Sequence, residues 1–99
     1  MVIDEKNLEE IKQILKRLIP DCEVRAFGSR VSGKSKPTSD LDLVIIHEEP
    51  LATQRRILLK EAFEDSRISF RIDFIEWIKV SSSFQAMIKD QMEIIQQAS

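Results

Sequence analysis

The sequence predicts an α/β (α+β) fold in which helices pack on one face of a small mixed sheet. Helix-type and strand-type segments alternate in the order helix, strand, short helix, strand, helix, strand, helix. Each strand segment has an apolar face, as a sheet packed against helices requires. Two acids open one of the strands, so we expect the acid-bearing face of the sheet to stay open for a ligand. Periodicity alone does not give the strand order.

The length and composition predict one domain, residues 1–99, with a core just large enough for the domain to fold alone. The net charge of −2 gives no electrostatic case for direct nucleic-acid binding. A single cysteine excludes an internal disulfide, and no apolar run approaches the roughly 20 residues of a membrane span. We therefore expect a cytoplasmic protein with no membrane partner.

The first helix follows Asp4, whose side chain can cap it, and ends before Pro20. Its apolar positions lie on one face: Leu8, Ile11, Ile14, Leu15 and Leu18. In the following strand, Cys22 to Phe27, the residues Cys22, Val24 and Ala26 share a face. Cys22 is interpreted as a small core residue rather than a reactive thiol, because the nearby basic residue, Arg25, lies on the other face.

The strand runs directly into Gly28-Ser29. Glycine lets the backbone approach a ligand closely, and a helix start after it aims N–H groups at an anion. A short helix is expected from Ser29 to about Lys34, followed by a turn at Pro37-Thr38. Lys34 and Lys36 add positive charge to this connector.

The second strand, Asp40 to His47, begins with two acids and continues with four apolar residues. Side chains alternate faces, so Asp40 and Asp42 point the same way, roughly 6–7 Å apart. At an effective dielectric of about 20 their repulsion costs roughly 2–3 kcal/mol, which a cation would remove. Oxygen ligands suit Mg²⁺. His47 lies at the far end and is interpreted as solvated rather than as a catalytic base.

The alternative interpretation of Gly28 to Asp42 is a surface turn before an ordinary strand with two solvated aspartates. It is disfavoured because two acids that open a buried strand beside Gly-Ser need a reason.

Glu48-Glu49-Pro50 is expected to open the third helix, with acids in its first turn. Its predicted inner face is Leu51, Ile57, Leu58, Ala62 and Phe63, with Arg55, Arg56 and Lys60 mostly outside. The third strand, Ile68 to Ile75, places apolar residues on one face and Arg71 and Asp73 on the other.

The C-terminal part contains the only tryptophan, Trp77, interpreted as either a partner anchor or a cap on the core. Ser81 to Ser83 are expected to cap a last helix with Phe84, Met87 and Ile88 inward. Asp90-Gln91 ends it, and the form of the last ten residues stays open.

Gly28-Ser29, ten residues and Asp40-Leu41-Asp42 resemble the GS-x10-DxD signature of DNA polymerase β-type nucleotidyltransferases. The stretch AFGSRVSGK…SDLDLVII and the short length resemble the minimal nucleotidyltransferases, and the resemblance runs from about Leu15 to about Ile95. Many of those are antitoxins encoded beside a HEPN-domain RNase toxin. The resemblance implies the nucleotidyltransferase palm and its strand order.

The resemblance also implies a chemistry, nucleotidyl transfer from ATP with release of pyrophosphate. Asp40 and Asp42 would hold two Mg²⁺ ions, and Asp73, within RIDFIEW, would be the third carboxylate of the metal site. Glu76 is a weaker ligand candidate, and Arg71 could instead pair with Asp73. Residues expected to contact the phosphates are Gly28, Ser29, Arg30 and Lys34.

The acceptor implied by the family is a hydroxyl, most often a tyrosine, of a HEPN-domain partner. Trp77 and the segment from Phe84 to Ile95 are the candidate docking surface. Two alternatives stay open: an antitoxin that neutralises its partner by contact alone, with ATP or metal as a structural ligand, and a subunit of a small-molecule nucleotidyltransferase.

Overall fold

The computed structural model describes all residues, 1–99, as a four-stranded sheet with helices on both sides. The helices are α1 (Glu5–Leu18), α2 (Ser29–Ser32), α3 (Thr53–Glu64) and α4 (Ser82–Ile88), and a 3₁₀ turn spans Trp77–Lys79. The strands are β1 (Glu23–Phe27), β2 (Leu41–Ile46), β3 (Ile72–Glu76) and β4 (Glu93–Gln96). No helix has both the length and the apolar character needed to cross a membrane.

The sheet has the order β3-β2-β1-β4 and is mixed, which confirms the predicted fold class. β1 pairs antiparallel with both β2 and β4, whereas β2 and β3 run parallel. The last ten residues therefore contain an edge strand, β4, the element whose form the sequence left open. Because β2 and β3 are parallel and adjacent, residues at the start of each strand come together at one end of the sheet.

One face of the sheet forms the main core with α1 and α3. The predicted alternation of β1 is confirmed, since Cys22, Val24 and Ala26 are all fully buried in this cluster. β2 contributes alternate residues to the same cluster, as a strand with one face on the core must: Leu41, Leu43 and Ile45. α1 also begins as predicted, because the Asp4 carboxylate accepts the Lys6 N–H at 2.8 Å.

α4 lies on the other, acid-bearing face, which the sequence predicted to be open. Phe84 of α4 packs edge-to-face against Phe27 with ring centroids 6.0 Å apart, and Phe27 is the cross-strand partner of Asp42. Val44 and Ile88 are buried but lie outside the main core cluster, which indicates a second, small apolar layer here. The acid-bearing face is thus partly covered by a short helix.

The third helix differs from its prediction in where it begins and in which residues it buries. It starts at Thr53, so Glu48 and Glu49 lie in the preceding loop and no acid occupies its first turn. Ile57 and Leu58 were wrongly placed inward: Ile57 is 51% exposed, whereas Leu59 is fully buried. Leu59 and Phe63 are four residues apart and share a face. Of the three consecutive apolar residues Ile57, Leu58 and Leu59, only Leu59 therefore lies on the buried face of the helix.

Two further details correct the prediction. Residues 68–71 are not in the third strand, which starts at Ile72, although Ile68 and Phe70 still pack on the core. Met87, predicted inward, is 71% exposed.

Glu76 closes the far end of β3 and is a structural carboxylate rather than a metal ligand. Its Oε1 accepts the Leu51 N–H at 2.7 Å, and its Oε2 pairs with Arg56 at 2.8 Å and Lys79 at 3.1 Å. Burial by itself raises the pKa of Glu76, but these hydrogen bonds outweigh it and hold the pKa below the usual glutamate value. The carboxylate therefore anchors the loop before α3, far from the acids at the start of β2.

Candidate active site

The acids of β2 and β3 meet because the two strands run parallel in register. Asp42 is the register partner of Asp73, so both side chains leave the same face of adjacent strands, which lie about 4.8 Å apart. Asp40 is exposed and precedes β2 by one residue. The oxygens of the three carboxylates do not all lie within 4.8 Å of one another. The fold thus places Asp42 against Asp73, with Asp40 at the rim.

Gly28 brings the Gly-Ser turn into direct contact with Asp42. β1 ends at Phe27, opposite Asp42, and the chain then turns at Gly28 with φ +85°, a conformation that favours glycine. A Cβ at this position would lie 2.6 Å from Asp42 Oδ2. No side chain fits between the turn and the carboxylate, so the two halves of the sequence motif form one site.

The turn leads into α2 with free backbone donors. The first backbone bonds of α2 run from Val31 and Ser32 to Gly28 O, so the N–H groups of Ser29 and Arg30 are outside that ladder. These two N–H groups directly follow the Gly28 turn that contacts Asp42. The sequence motif predicts a phosphate-binding site at this turn. Lys34 is exposed on the connector beyond Gly33. The roles of Gly28, Ser29 and Lys34 toward a nucleotide stay predictions.

The side chain of Arg30 is not available for the predicted phosphate contact, because its guanidinium is buried and hydrogen-bonded to backbone carbonyls, whereas a role of the Arg30 backbone N–H stays a prediction. Arg30 is 4% exposed and donates to the carbonyls of Val2, Pro37 and Ser39 at 2.8–3.1 Å. Its Cζ also lies 3.9 Å from the ring centroid of Phe70. Arg30 therefore fixes the connector between α2 and β2. The sequence carries no signal for this role, since the carbonyls belong to segments that only the fold brings together.

Electrostatic repulsion is concentrated on Asp42. Burial raises the pKa of the Asp42 carboxyl, and the negative charges of Asp73 and Asp40 raise it further. Asp73 accepts a hydrogen bond from Arg71 Nε at 2.9 Å, so the alternative ion pair named above does form. These side chains, Arg71 and Asp73, are 74% and 41% exposed, and such pairs contribute only about 0.2–1 kcal/mol. A structural role does not explain the placement of Asp73 opposite Asp42.

The side chains fit a hard divalent cation. All three acids offer carboxylate oxygens, which Mg²⁺ prefers over nitrogen or sulfur. Burial, and then the charges of Asp73 and Asp40, raise the pKa of Asp42, so a cation bound here would stabilise its ionised form. Two aromatic residues that were not predicted to belong to the site, Phe27 and Phe84, border this cluster. The alternation of β1 could have placed Phe27 on this face, since it follows Ala26 of the core face.

Comparison with known proteins agrees with this geometry. A family model described as nucleotidyltransferase domain matches residues 8–95, nearly the whole chain. The chain belongs to the nucleotidyltransferase domain family. A Haemophilus influenzae relative named probable protein adenylyltransferase MntA is 46% identical over 95 residues, which cover 96% of this nucleotidyltransferase and 83% of the relative.

Two solved structures share the fold. A toxin-antitoxin structure with AMP-PNP superposes with a TM-score of 0.75 at 20% identity, over 94% of this chain and 75% of that one. A Shewanella oneidensis complex of a tri-AMPylated HEPN toxin with an MNT antitoxin gives a TM-score of 0.70 at 16% identity, over 97% and 74% of the two chains. At these identities the likeness is one of fold.

The contact between Gly28 and Asp42 predicts that Gly28→Ala damages function more than stability. The new Cβ would displace the Asp42 carboxylate, and a misplacement of about 1 Å can cost roughly 100-fold in rate. Gly33→Ala is the matched control, because Gly33 has φ +83° but a Cβ there would meet nothing within 4 Å. Urea unfolding should show a loss of about 1–2 kcal/mol for Gly33→Ala, whose backbone is left-handed, and a larger loss for Gly28→Ala, whose φ of 85° and ψ of −156° are essentially confined to glycine. Single-turnover nucleotide transfer, measured where both variants are folded, should fall only for Gly28→Ala. Equal transfer by the two variants would contradict the contact.

The burial of Asp42 and its repulsion by Asp73 and Asp40 predict that Asp42→Asn stabilises the fold while it abolishes transfer. Because the pKa of Asp42 is raised in the folded state, ionising it lowers wild-type stability as the pH rises through that pKa. We expect a gain of about 0.5–2 kcal/mol at neutral pH, the usual size of a stabilising substitution.

The stability gain of Asp42→Asn should vanish below about pH 4, where the wild-type aspartate is protonated and is therefore as neutral as the asparagine. Exposed Asp90→Asn is the control and should change little. Mg²⁺ should raise the melting temperature of the wild type but not of Asp42→Asn. A variant that is less stable than the wild type at neutral pH would refute the electrostatic argument.

Proposed function

We propose that this nucleotidyltransferase transfers AMP from ATP to a hydroxyl of a partner protein, a HEPN-domain toxin, and thereby acts as its antitoxin. The observation that carries the proposal is the contact of the Gly28 turn with Asp42, whose register partner is Asp73. The 46% identity to a relative named probable protein adenylyltransferase supports a protein acceptor. A cytoplasmic location stays the prediction of the sequence.

In the proposed reaction, each element of the site has one task. Asp40 and Asp42 would hold two Mg²⁺ ions with the triphosphate, and Asp73 would share the ion on the acceptor side. Bound there, Mg²⁺ supplies charge neutralisation at the entering and leaving oxygens and lowers the pKa of the acceptor hydroxyl. The N–H groups of Ser29 and Arg30 and the exposed Lys34 would hold the β- and γ-phosphates.

The acceptor oxygen would attack the α-phosphorus in line, and pyrophosphate would leave. The Gly28 turn would hold the leaving phosphates beside the acids, because no Cβ separates the turn from the Asp42 carboxylate. Asp42, with a raised pKa, must lose its proton before the site can bind a cation, so nucleotide binding should weaken as the pH falls.

A partner is required to orient the acceptor. The chain has no tyrosine, so it cannot modify itself on that residue type. An acceptor hydroxyl fixed near the α-phosphorus gains several kcal/mol over a freely diffusing one. The candidate docking surface around Trp77 and residues 84–95 exposes three large apolar side chains, which supports contact with a partner: Ile78, Met87 and Ile94.

The proposal predicts that a co-expressed HEPN partner gains mass equal to one or more AMP groups. Asp40→Asn should keep the complex but abolish the added mass, whereas exposed Asp90→Asn should retain both. Intact-mass analysis of the purified complex under ATP and Mg²⁺ is the measurement. A tight complex with no added mass would instead indicate neutralisation by contact. Absence of a complex would point to a small-molecule acceptor.

Within the same experiment, Asp73→Asn should bind ATP with near wild-type affinity yet transfer AMP at least about tenfold more slowly. A residue used chiefly in the transition state lowers turnover more than affinity. Arg71→Gln is the control, because it removes the ion pair and leaves the Asp73 carboxylate in place. Unfolding of Asp73→Asn would contradict the assignment.

A further inference from the structure

A second cluster of ligating side chains lies at the opposite end of the β1–β2 ladder from the acids. The pair Phe27–Asp42 forms one end of the ladder, and the pair Glu23–Ile46 forms the other. Asp21 and Cys22 immediately precede the second end, and His47 immediately follows it. At about 3.4 Å per residue, the two ends lie roughly 14 Å apart, so this cluster is separate from the active site.

Asp21, Cys22 and His47 each offer one ligand atom, and the three atoms all lie within 4.8 Å of one another. His47 Nε2 lies 3.4 Å from Asp21 Oδ2. Cys22 is fully buried, and its carbonyl accepts a hydrogen bond from Gln96, but its sulfur takes part in none. Carboxylate, thiolate and imidazole are the three ligand types of zinc sites in proteins.

The second nitrogen of His47 is held as in known metal sites. Nδ1 lies 3.0 Å from Glu49 O and 3.4 Å from the Glu49 nitrogen. The contact with Glu49 O needs a proton on Nδ1, whereas the contact with the Glu49 N–H needs a lone pair there. In the tautomer that satisfies the shorter contact, Nε2 carries no proton and its lone pair is free for an ion. A ligating histidine commonly donates its other N–H to a backbone carbonyl in this way.

The competing interpretation is an ion-pair network without metal. Arg55 donates to both oxygens of Asp21, and this hydrogen bonding lowers the pKa of the Asp21 carboxyl. That network accounts for Asp21 and His47, and core packing accounts for the burial of Cys22, but neither uses the Cys22 sulfur as a ligand, although it lies within 4.8 Å of a ligand atom of each of the other two residues. We propose that Asp21, Cys22 and His47 form a binding site for a zinc-like divalent ion, with Arg55 competing for Asp21.

Binding replaces the thiol proton: the Cys22 sulfur gains a bond to the ion, and the proton is released to solvent without any change of oxidation state. Thiolate and carboxylate together neutralise the two charges of the ion. Three protein ligands leave one tetrahedral position for water. The ion would link the turn before β1 to the end of β2. That turn is already fixed by Gln96 of β4, whose side-chain amide donates to the carbonyls of Ile19 and Cys22.

Titration of the reduced full-length chain with Co²⁺ tests the site, because a thiolate ligand gives a sulfur-to-cobalt charge-transfer band in the near ultraviolet. We expect the band to saturate at one equivalent. Asp42→Asn, which removes a carboxylate of the active site, should leave the band unchanged. Cys22→Ser should abolish it.

The surface variant His47→Gln keeps the test valid if Cys22→Ser fails to fold. It should weaken Co²⁺ binding at least about tenfold, since loss of even an outer partner of a metal site costs about 10–100-fold. Arg55→Gln should strengthen binding by freeing Asp21. No thiolate band at stoichiometric Co²⁺, or a band of equal affinity in His47→Gln, would overturn the site.

Discussion

The close approach of Gly28 to Asp42 is the constraint on which the rest of this nucleotidyltransferase depends. A turn at positive φ, with no room for a Cβ, joins the end of β1 to the acid of its neighbouring strand. The connector must then leave through α2 and return to Asp40 within ten residues. Arg30 makes that path rigid by collecting three carbonyls around one buried guanidinium. The side chain of Arg30, predicted to contact the phosphates, thus holds the connector in place instead.

The carboxylates at the two ends of the sheet have opposite electrostatic surroundings. At the end of β3, Glu76 is surrounded by Arg56, Lys79 and a backbone donor, so its charge stabilises the fold. At the start of β2, Asp42 faces two further carboxylates, and its charge destabilises the fold. Clusters of like charge persist where function requires them, because the ligand supplies the compensation.

The sequence sufficed where a short-range rule determines the structure. The alternation of Cys22, Val24 and Ala26, the cap at Asp4 and the motif from Gly28 to Asp42 each depend on neighbours in the chain, and the fold class followed from them. It failed where apolar residues are consecutive, as at Ile57-Leu58-Leu59, because helical periodicity alone cannot choose which one faces the core.

Prediction from the sequence also failed where contacts join segments that are distant along the chain. The carbonyls around Arg30 come from Val2, Pro37 and Ser39, and no local pattern brings them together. Cys22 and His47, interpreted separately as a core residue and a solvated histidine, become neighbours only through β1–β2 pairing. The position of α4 on the acid-bearing face likewise depends on long-range contacts, among them Phe84 on Phe27.

The central claim is that this site cleaves ATP between the α- and β-phosphates and transfers the nucleotide. The most direct measurement compares ATP labelled at the α-phosphorus with ATP labelled at the γ-phosphorus, incubated with this chain, its partner and Mg²⁺. The account predicts that the α-label becomes covalently attached to protein while the γ-label is recovered as pyrophosphate. Attachment of the γ-label, or release of the γ-label as inorganic phosphate with no attachment of the α-label, would contradict it.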